Sequence, residues 1–65
     1  MKLNDFLDVL DLDTFIKVRY EHWENFEYVG STEECYIRDE DLIVKNVSVV
    51  DDELIIVISV NDEED

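Results

Sequence analysis

The sequence predicts an α+β fold, with an N-terminal helix packed on an antiparallel sheet of about four strands and a short second helical turn. Three observations predict it. Apolar residues near the N-terminus recur with helical spacing, two pairs of apolar segments of strand length follow, and polar residues separate the members of each pair. The 65 residues leave room for one domain, expected over residues 1–60, and the acidic tail 61–65 is expected to be disordered.

The first element is an amphipathic helix. Leu3, Phe6, Leu7 and Leu10 follow the spacing i, i+3, i+4, i+7, which places them on one helical face. This pattern predicts a helix that ends near Asp11 and buries its leucine face against a sheet.

The first hairpin is predicted from alternation. In "TFIKVRY", residues 14–20, apolar and charged residues alternate, and the segment is rich in β-branched and aromatic residues. The polar run "EHWEN" then leads to "FEYVG", residues 26–30, as a second strand. Gly30 is the single glycine of the chain and marks a bend.

A short helical turn is predicted after the second strand. Ser31 followed by Glu34 matches a capping box. In this motif the serine side chain accepts a hydrogen bond from the backbone N–H three residues later, and the glutamate side chain accepts one from the serine backbone N–H. This motif predicts one or two helical turns through Cys35 to about Ile37.

The last hairpin is the clearest element. "LIVKNVSVV" and "ELIIVISV" flank Asp51-Asp52, so a two-residue turn would set Val49 opposite Leu54, Val47 opposite Ile56 and Ile43 opposite Val60. That face is expected to form the core. The other face is more aliphatic than a solvated face, which predicts a homodimer through this face or through an edge strand. The interface residues are expected to be Val44, Val50, Ile55 and Val57.

The sequence offers little for catalysis or cofactor binding. Cys35 is the single cysteine and His22 the single histidine, and one glycine cannot build a phosphate-binding loop. A Cys35–His22 nucleophile pair lacks an oxyanion loop, and the Asp-x-Asp fragments do not continue as a calcium loop. We therefore expect no enzyme activity, no catalytic residues, no metal site and no cofactor.

Charge is the strongest functional signal. The chain has 19 acidic and 5 basic residues, a formal net charge of −14. This balance argues against direct binding to nucleic acid or to an anionic membrane. The longest apolar run, residues 54–60, is far too short to span a bilayer. The N-terminal acids do not suit a signal peptide, so a cytoplasmic protein is expected.

The acids are candidates for a partner-binding surface. A small domain needs a net charge of only about 2–8 for solubility, so −14 is in excess. Trp23 lies in the polar turn "EHWEN", where it either packs back on the sheet or serves as an aromatic interface anchor. The residues expected to bind a basic partner are Glu33, Glu34, Asp39, Glu40, Asp41, Asp51, Asp52 and Trp23.

In size, charge and α+β pattern, over its whole length, the chain resembles the small acidic inhibitor proteins of phages and mobile elements. These include DNA mimics, anti-CRISPR and anti-restriction proteins. No motif carries the resemblance, so no residue roles transfer. It implies a non-enzymatic protein that blocks a basic, nucleic-acid-binding surface of a host protein by imitating phosphates. The alternative is a small dimeric structural or assembly module of a phage or mobile element, whose acidity serves solubility.

Overall fold

The computed structural model describes residues 1–37 and 41–60. It contains one helix, α1 (Leu3–Asp8), and four strands: β1 (Phe15–Tyr20), β2 (Tyr28–Ser31), β3 (Leu42–Val50) and β4 (Glu53–Val60). The strands form one sheet in the order β2-β1-β4-β3. The predicted tail 61–65 lies outside the described residues.

The predicted α+β class with an antiparallel sheet is wrong. Strands account for 49% of the structure and helix for 11%, so the fold is mostly β with one short helix. The sheet is mixed. The pairs β1–β2 and β3–β4 are antiparallel hairpins, as predicted, but β1 and β4 run parallel, with Ile16 opposite Leu54 and Tyr20 opposite Ile58.

The helix is shorter than its apolar spacing predicts. It ends at Asp8, and the N–H groups of Val9 and Leu10 donate to carbonyls three residues back, at Phe6 and Leu7. Its last turn has no basic residue, so no side-chain cation favours the negative end of the helix dipole. Leu3 and Leu7 are fully buried in the core.

The predicted second helical turn does not form. Residues 32–35 make a single turn instead, in which the Cys35 N–H donates to the Thr32 carbonyl. Hydrogen bonds to other parts of the fold prevent the capping motif from starting a helix. Ser31 stays in β2, its carbonyl accepts from the Tyr28 hydroxyl, and the Glu33 N–H donates to the Leu12 carbonyl. Backbone groups near the cap are therefore engaged elsewhere.

The core lies on one face of the sheet. Ile16 and Val18 of β1 and Ile56 and Ile58 of β4 are fully buried there. The segment after β2 adds a second cover beside α1. The buried cluster is completed by Leu3, Leu7, Cys35, Ile37 and Leu42.

An irregularity in β3 changes the predicted register. Val49 pairs with Leu54 and Val47 with Ile56, as predicted, but the register shifts between Val44 and Asn46. Beyond this bulge, Leu42 rather than Ile43 pairs with Val60. One extra residue in a strand reverses the side-chain alternation that follows it. Ile43 is therefore not on the predicted core face.

Candidate functional site

The sheet topology brings three acidic segments to one end of the molecule. Because β1 and β4 are parallel, the loop before β1 lies at the same end as the β3–β4 turn. Because β2 runs antiparallel to β1, with Phe15 opposite Ser31, the turn after β2 lies there too. We call this region the acidic end. Its residues are Asp11, Asp13, Glu33, Glu34, Asp51, Asp52 and Glu53.

Hydrogen bonds join two of the three segments. The N–H and hydroxyl of Thr32 both donate to the Thr14 carbonyl, at 2.8 and 3.0 Å, and the Glu33 N–H donates to the Leu12 carbonyl at 2.8 Å. Thr32 is fully buried although it is polar. These bonds fix the backbone that carries Asp13 and Glu33, so both carboxylates project from an ordered base.

The β3–β4 turn brings the third group of acids. Asp51 and Asp52 both have positive φ angles, 54° and 66°, as a two-residue type I′ hairpin turn requires. Asn-Gly is the preferred pair in such a turn, because these residues enter the left-handed region most easily. Two adjacent aspartates add charge repulsion to that conformational cost. Sites that depart from the locally favoured residue are often functional.

The acidic end carries little compensating charge. In the part of the chain that the structure describes, the ion pair at this end joins Lys17 Nζ to Glu53 Oε1 at 2.6 Å. Lys17 also lies 5.2 Å from the centre of the Phe26 ring. The other six carboxylates of the acidic end are exposed. Neighbouring strands lie about 4.8 Å apart, so these six spread over a surface about 15 Å wide.

The predicted partner-binding acids do not all lie together. Glu33 and Glu34 join Asp51 and Asp52 at the acidic end, although 16 residues separate the two pairs in sequence. Asp41 directly precedes β3 and lies at the opposite end of the sheet, about 30 Å from Asp51 for a strand of this length. Asp39 and Glu40 lie outside the described residues.

Three acids of the acidic end are not among the binding residues predicted from the sequence. Asp11 and Asp13 follow the helix, and Glu53 begins β4. Asp11 and Asp13 lie near Glu33 because of the β1–β2 hairpin, whereas the proximity of Glu53 to these acids depends on the parallel pairing of β1 with β4. The continuous apolar run of β4 is the one signal that could have shown it, since strands with both faces covered read this way and occupy the middle of a sheet.

Trp23 lies at the other end of the sheet, in the turn after β1. Its N–H donates to the Tyr20 carbonyl at 3.0 Å and its carbonyl accepts from Arg19 Nη1 at 2.8 Å. The indole contacts the Tyr20 ring, with centroids 5.3 Å apart, and 55% of the residue is exposed. It borders a shallow cleft of about 740 Å³, which Glu21, His22 and Lys45 also line. Trp23 is therefore ordered and accessible, but separate from the acidic end.

The four residues predicted to form a dimer interface do not share a face. Val44 packs against the core, whereas Val50, Ile55 and Val57 follow the alternation of the opposite face, because the bulge separates Val44 from the rest of β3. On that face Val57 is only 8% exposed. Its β1 neighbour is Arg19, whose long aliphatic stem can cover apolar surface.

Cys35 and His22, the two residues considered as a nucleophile pair, differ in their exposure to solvent. Cys35 is buried in the core cluster, and the exposed His22 lies 3.7 Å from Glu21. Within residues 1–37 and 41–60, no group of three or more His, Cys, Asp or Glu side chains is placed to hold a metal ion. Over the same residues, no helix has the length and apolar character needed to cross a membrane.

Comparison with protein-family models, with curated proteins and with solved structures finds no match to this chain.

Proposed function

We propose that this protein is a non-enzymatic binding protein whose acidic end occupies a basic, nucleic-acid-binding surface of another protein. The observation that carries this proposal is the convergence of three acidic segments at one end of a small sheet. The acids are separate in sequence, and only the mixed topology brings them together.

The charge density of the acidic end is of the order found on nucleic acid. Duplex DNA presents one charge per about 1.7 Å of axis, so a length of about 15 Å carries about nine charges. The acidic end has seven carboxylates over a similar width, and Lys17 neutralises one of them. A groove lined with lysine and arginine, built to hold phosphates, would meet a comparable field here.

The order of the backbone also supports the proposal. A binding surface gains affinity when its groups are held in place before association, because less freedom is lost on binding. The bonds from Thr32 and Glu33 to the loop before β1 supply this order for two of the three segments, and the β3–β4 turn supplies it for the third.

The proposal is tested with two variants that lose the same number of charges. The acidic-end variant carries Glu33→Gln, Glu34→Gln, Asp51→Asn and Asp52→Asn. The matched variant carries Asp5→Asn, Glu21→Gln, Glu24→Gln and Glu27→Gln, at acids outside the acidic end. Both are used as baits, beside the unmodified protein, in a lysate of the natural host at low salt.

We expect the unmodified protein and the matched variant to capture the same basic protein, and the acidic-end variant to lose it. Duplex DNA and rising salt should both release the captured protein, because electrostatic contacts are screened and DNA competes for the same groove. Equal capture by both variants would show that the acidic end is not the binding surface. Capture that resists both DNA and salt would show that the partner is not bound through a phosphate-binding groove.

A further inference from the structure

The two edges of the sheet are protected to different degrees. The β2 edge is only four residues long, which limits its use as a pairing template. The first half of the β3 edge is covered by the N-terminus, since the Val44 N–H donates to the Met1 carbonyl at 2.8 Å and Lys2 bridges Ile43. In the described part of the chain, no strand pairs with the outer edge of residues 46–50. We call this segment the open edge.

The register identifies which backbone groups the open edge presents. Val50 and Glu53 close the two-residue turn, and the closing pair of such a hairpin is hydrogen-bonded. Because bonded and non-bonded pairs alternate in an antiparallel ladder, Val47 and Val49 turn their N–H and C=O groups away from β4. The open edge thus offers two donors and two acceptors to another strand.

The side chains of the open edge are unlike the rest of the surface. The segment "NVSVV" has no charged residue in a chain of which 37% is charged. Val47, Val49 and Val50 are 37%, 67% and 49% exposed. Soluble proteins normally block a free edge with charge, proline or a bulge, so an uncharged valine edge indicates a pairing surface.

We propose that the open edge pairs with the same segment of a second copy of this chain. The pairing is antiparallel, with the twofold axis at Ser48. In this register Val47 of each copy lies opposite Val49 of the other, so the outward N–H and C=O groups meet as bonded pairs. Ser48 lies opposite Ser48 of the second copy. Two four-stranded sheets become one sheet of eight strands, and Val47 and Val49 of each copy come into contact with Val49 and Val47 of the other.

The distribution of charge selects this arrangement. Antiparallel pairing places the two acidic ends at opposite ends of the dimer, with the Asp51 residues of the two copies about 20 Å apart. That separation exceeds the Debye length of about 8 Å at physiological ionic strength, so the repulsion is largely screened. Lys45 of each copy lies beside Asp51 of the other. Parallel pairing would instead place the two acidic ends side by side.

The open edge favours a second copy over a strand from a basic protein. The segment itself contains no acid that would select lysine or arginine in a paired strand. In contrast, the same segment of a second copy pairs valine with valine and serine with serine when the register is centred on Ser48. Dimerisation also leaves the acidic end uncovered in both copies. The inference is therefore independent of the proposed function, and either can fail alone.

The first test is the mass of the protein in solution at tens of micromolar and physiological salt. We expect twice the chain mass of 7.7 kDa. The dimer fraction should fall at low salt, where repulsion between the copies is less screened, which is opposite to the salt effect expected for a basic partner. A monomer mass at physiological salt and 100 micromolar would overturn the proposal.

Two matched variants locate the interface. Val49→Lys places a charge on the open edge and should give a monomer. Val29→Lys makes the same change at a residue of similar exposure, 50%, on the β2 edge, and should stay dimeric. A dimer that survives Val49→Lys, or that is lost equally in both variants, would exclude the open edge as the interface.

A disulfide test checks the register. Cysteines directly opposite each other in a non-bonded antiparallel pair lie at a distance that a disulfide can bridge. Ser48→Cys should therefore form a crosslinked dimer under mild oxidation, whereas Asn46→Cys should not, because Asn46 lies opposite Val50 of the second copy. The native Cys35 is buried, so the unmodified protein serves as the control. Crosslinking of Asn46→Cys, or none by folded Ser48→Cys, would exclude this register.

Discussion

Lys17 of β1 and Glu53 of β4 form an ion pair of 2.6 Å across the parallel junction of the sheet. The contact joins the two hairpins side by side and removes one uncompensated charge from the acidic end. Both side chains are partly exposed, so the Coulomb term is reduced by solvent.

Lys17→Met tests the contribution of this pair. Methionine keeps an aliphatic stem but loses the ion pair and the contact with the Phe26 ring, so we expect the free energy of unfolding to fall by up to about 1 kcal/mol. Lys2→Met, at an exposed lysine whose side chain makes no cap hydrogen bond, removes the same charge and is the control. Urea unfolding at low and high salt measures both. If the two variants lose equal stability, the Lys17–Glu53 contact has no specific role.

Replacing Asp51 and Asp52 with the residues preferred in a type I′ turn should stabilise the β3–β4 hairpin. Asp51→Asn with Asp52→Gly gives the preferred type I′ pair and removes two adjacent charges, so we expect unfolding to cost about 1 kcal/mol more. Asp5→Asn with Glu24→Gln removes two charges at residues with negative φ angles and serves as the control. Thermal unfolding of both variants provides the comparison. A smaller gain in the turn variant than in the control would mean that backbone conformation at Asp51 and Asp52 costs nothing.

The strands of this fold are predictable because their signals are local. The alternation of residues 14–20 and the paired apolar runs around Asp51-Asp52 specify two hairpins, and both form. The way in which the hairpins join is not local, since Ile16 and its partner Leu54 lie far apart in the chain. The alternation and turn signals that specify the hairpins contain no information about that junction, and only the continuous apolar run of β4 indicates a strand in the middle of the sheet. An antiparallel sheet was therefore the wrong expectation.

Two further errors have physical causes that the sequence does not show. The capping motif at Ser31 was outcompeted by the bonds of Thr32 and Glu33 to the loop before β1. The bulge between Val44 and Asn46 moved residues to opposite faces, and no glycine or proline marks it. Within the candidate site, the pairs Glu33–Glu34 and Asp51–Asp52 could be predicted as binding residues from their charge alone. Only the parallel junction shows that they belong to one surface.

Gly30 lies in close contact with the end of the Tyr28 side chain. A Cβ atom at residue 30 would lie 2.6 Å from Tyr28 Oη and 3.0 Å from Cζ. The tyrosine cannot move freely, because its hydroxyl donates to the Ser31 carbonyl. We expect Gly30→Ala to lower the free energy of unfolding by about 1–3 kcal/mol through this overpacking.

A double-mutant cycle checks the cause of the Gly30→Ala effect. Removing the hydroxyl with Tyr28→Phe should recover part of the loss, so the two changes together should cost less than their sum. Chemical denaturation of the four proteins gives the coupling. Additive losses would mean that the contact with Tyr28 is not the reason for glycine.

Salt should stabilise the fold, because it screens repulsion among the 19 acids. We expect the melting temperature to rise between low and physiological ionic strength. The rise should be smaller in the acidic-end variant defined above than in the matched variant, although both lose four charges, because the acidic end is the densest cluster of acids among residues 1–37 and 41–60. Equal salt responses of the two variants would show that repulsion is spread evenly over the molecule.

The last prediction concerns high pH. Burial raises the pKa of the Tyr28 hydroxyl above its usual value of 10.0, and the nearby Cys35 and Glu34 act in the same direction. A raised pKa in the folded state means that the native phenol retains its proton at a pH where the unfolded chain loses it. This contribution to stability is complete below about pH 10 and is lost as the pH rises through the folded-state pKa.

Tyr28→Phe should therefore flatten the loss of stability above pH 10, while lowering stability at neutral pH because the bond to the Ser31 carbonyl is absent. Tyr20→Phe is the matched control, since Tyr20 is also a partly buried tyrosine but lies at the other end of the sheet, where its ring contacts Trp23. Urea unfolding of the three proteins at a series of pH values gives the slopes. If all three lose stability in parallel above pH 10, the ionisation of Tyr28 is not linked to folding. A flatter slope for Tyr28→Phe alone would assign the loss of stability at alkaline pH to the partly buried phenol of Tyr28.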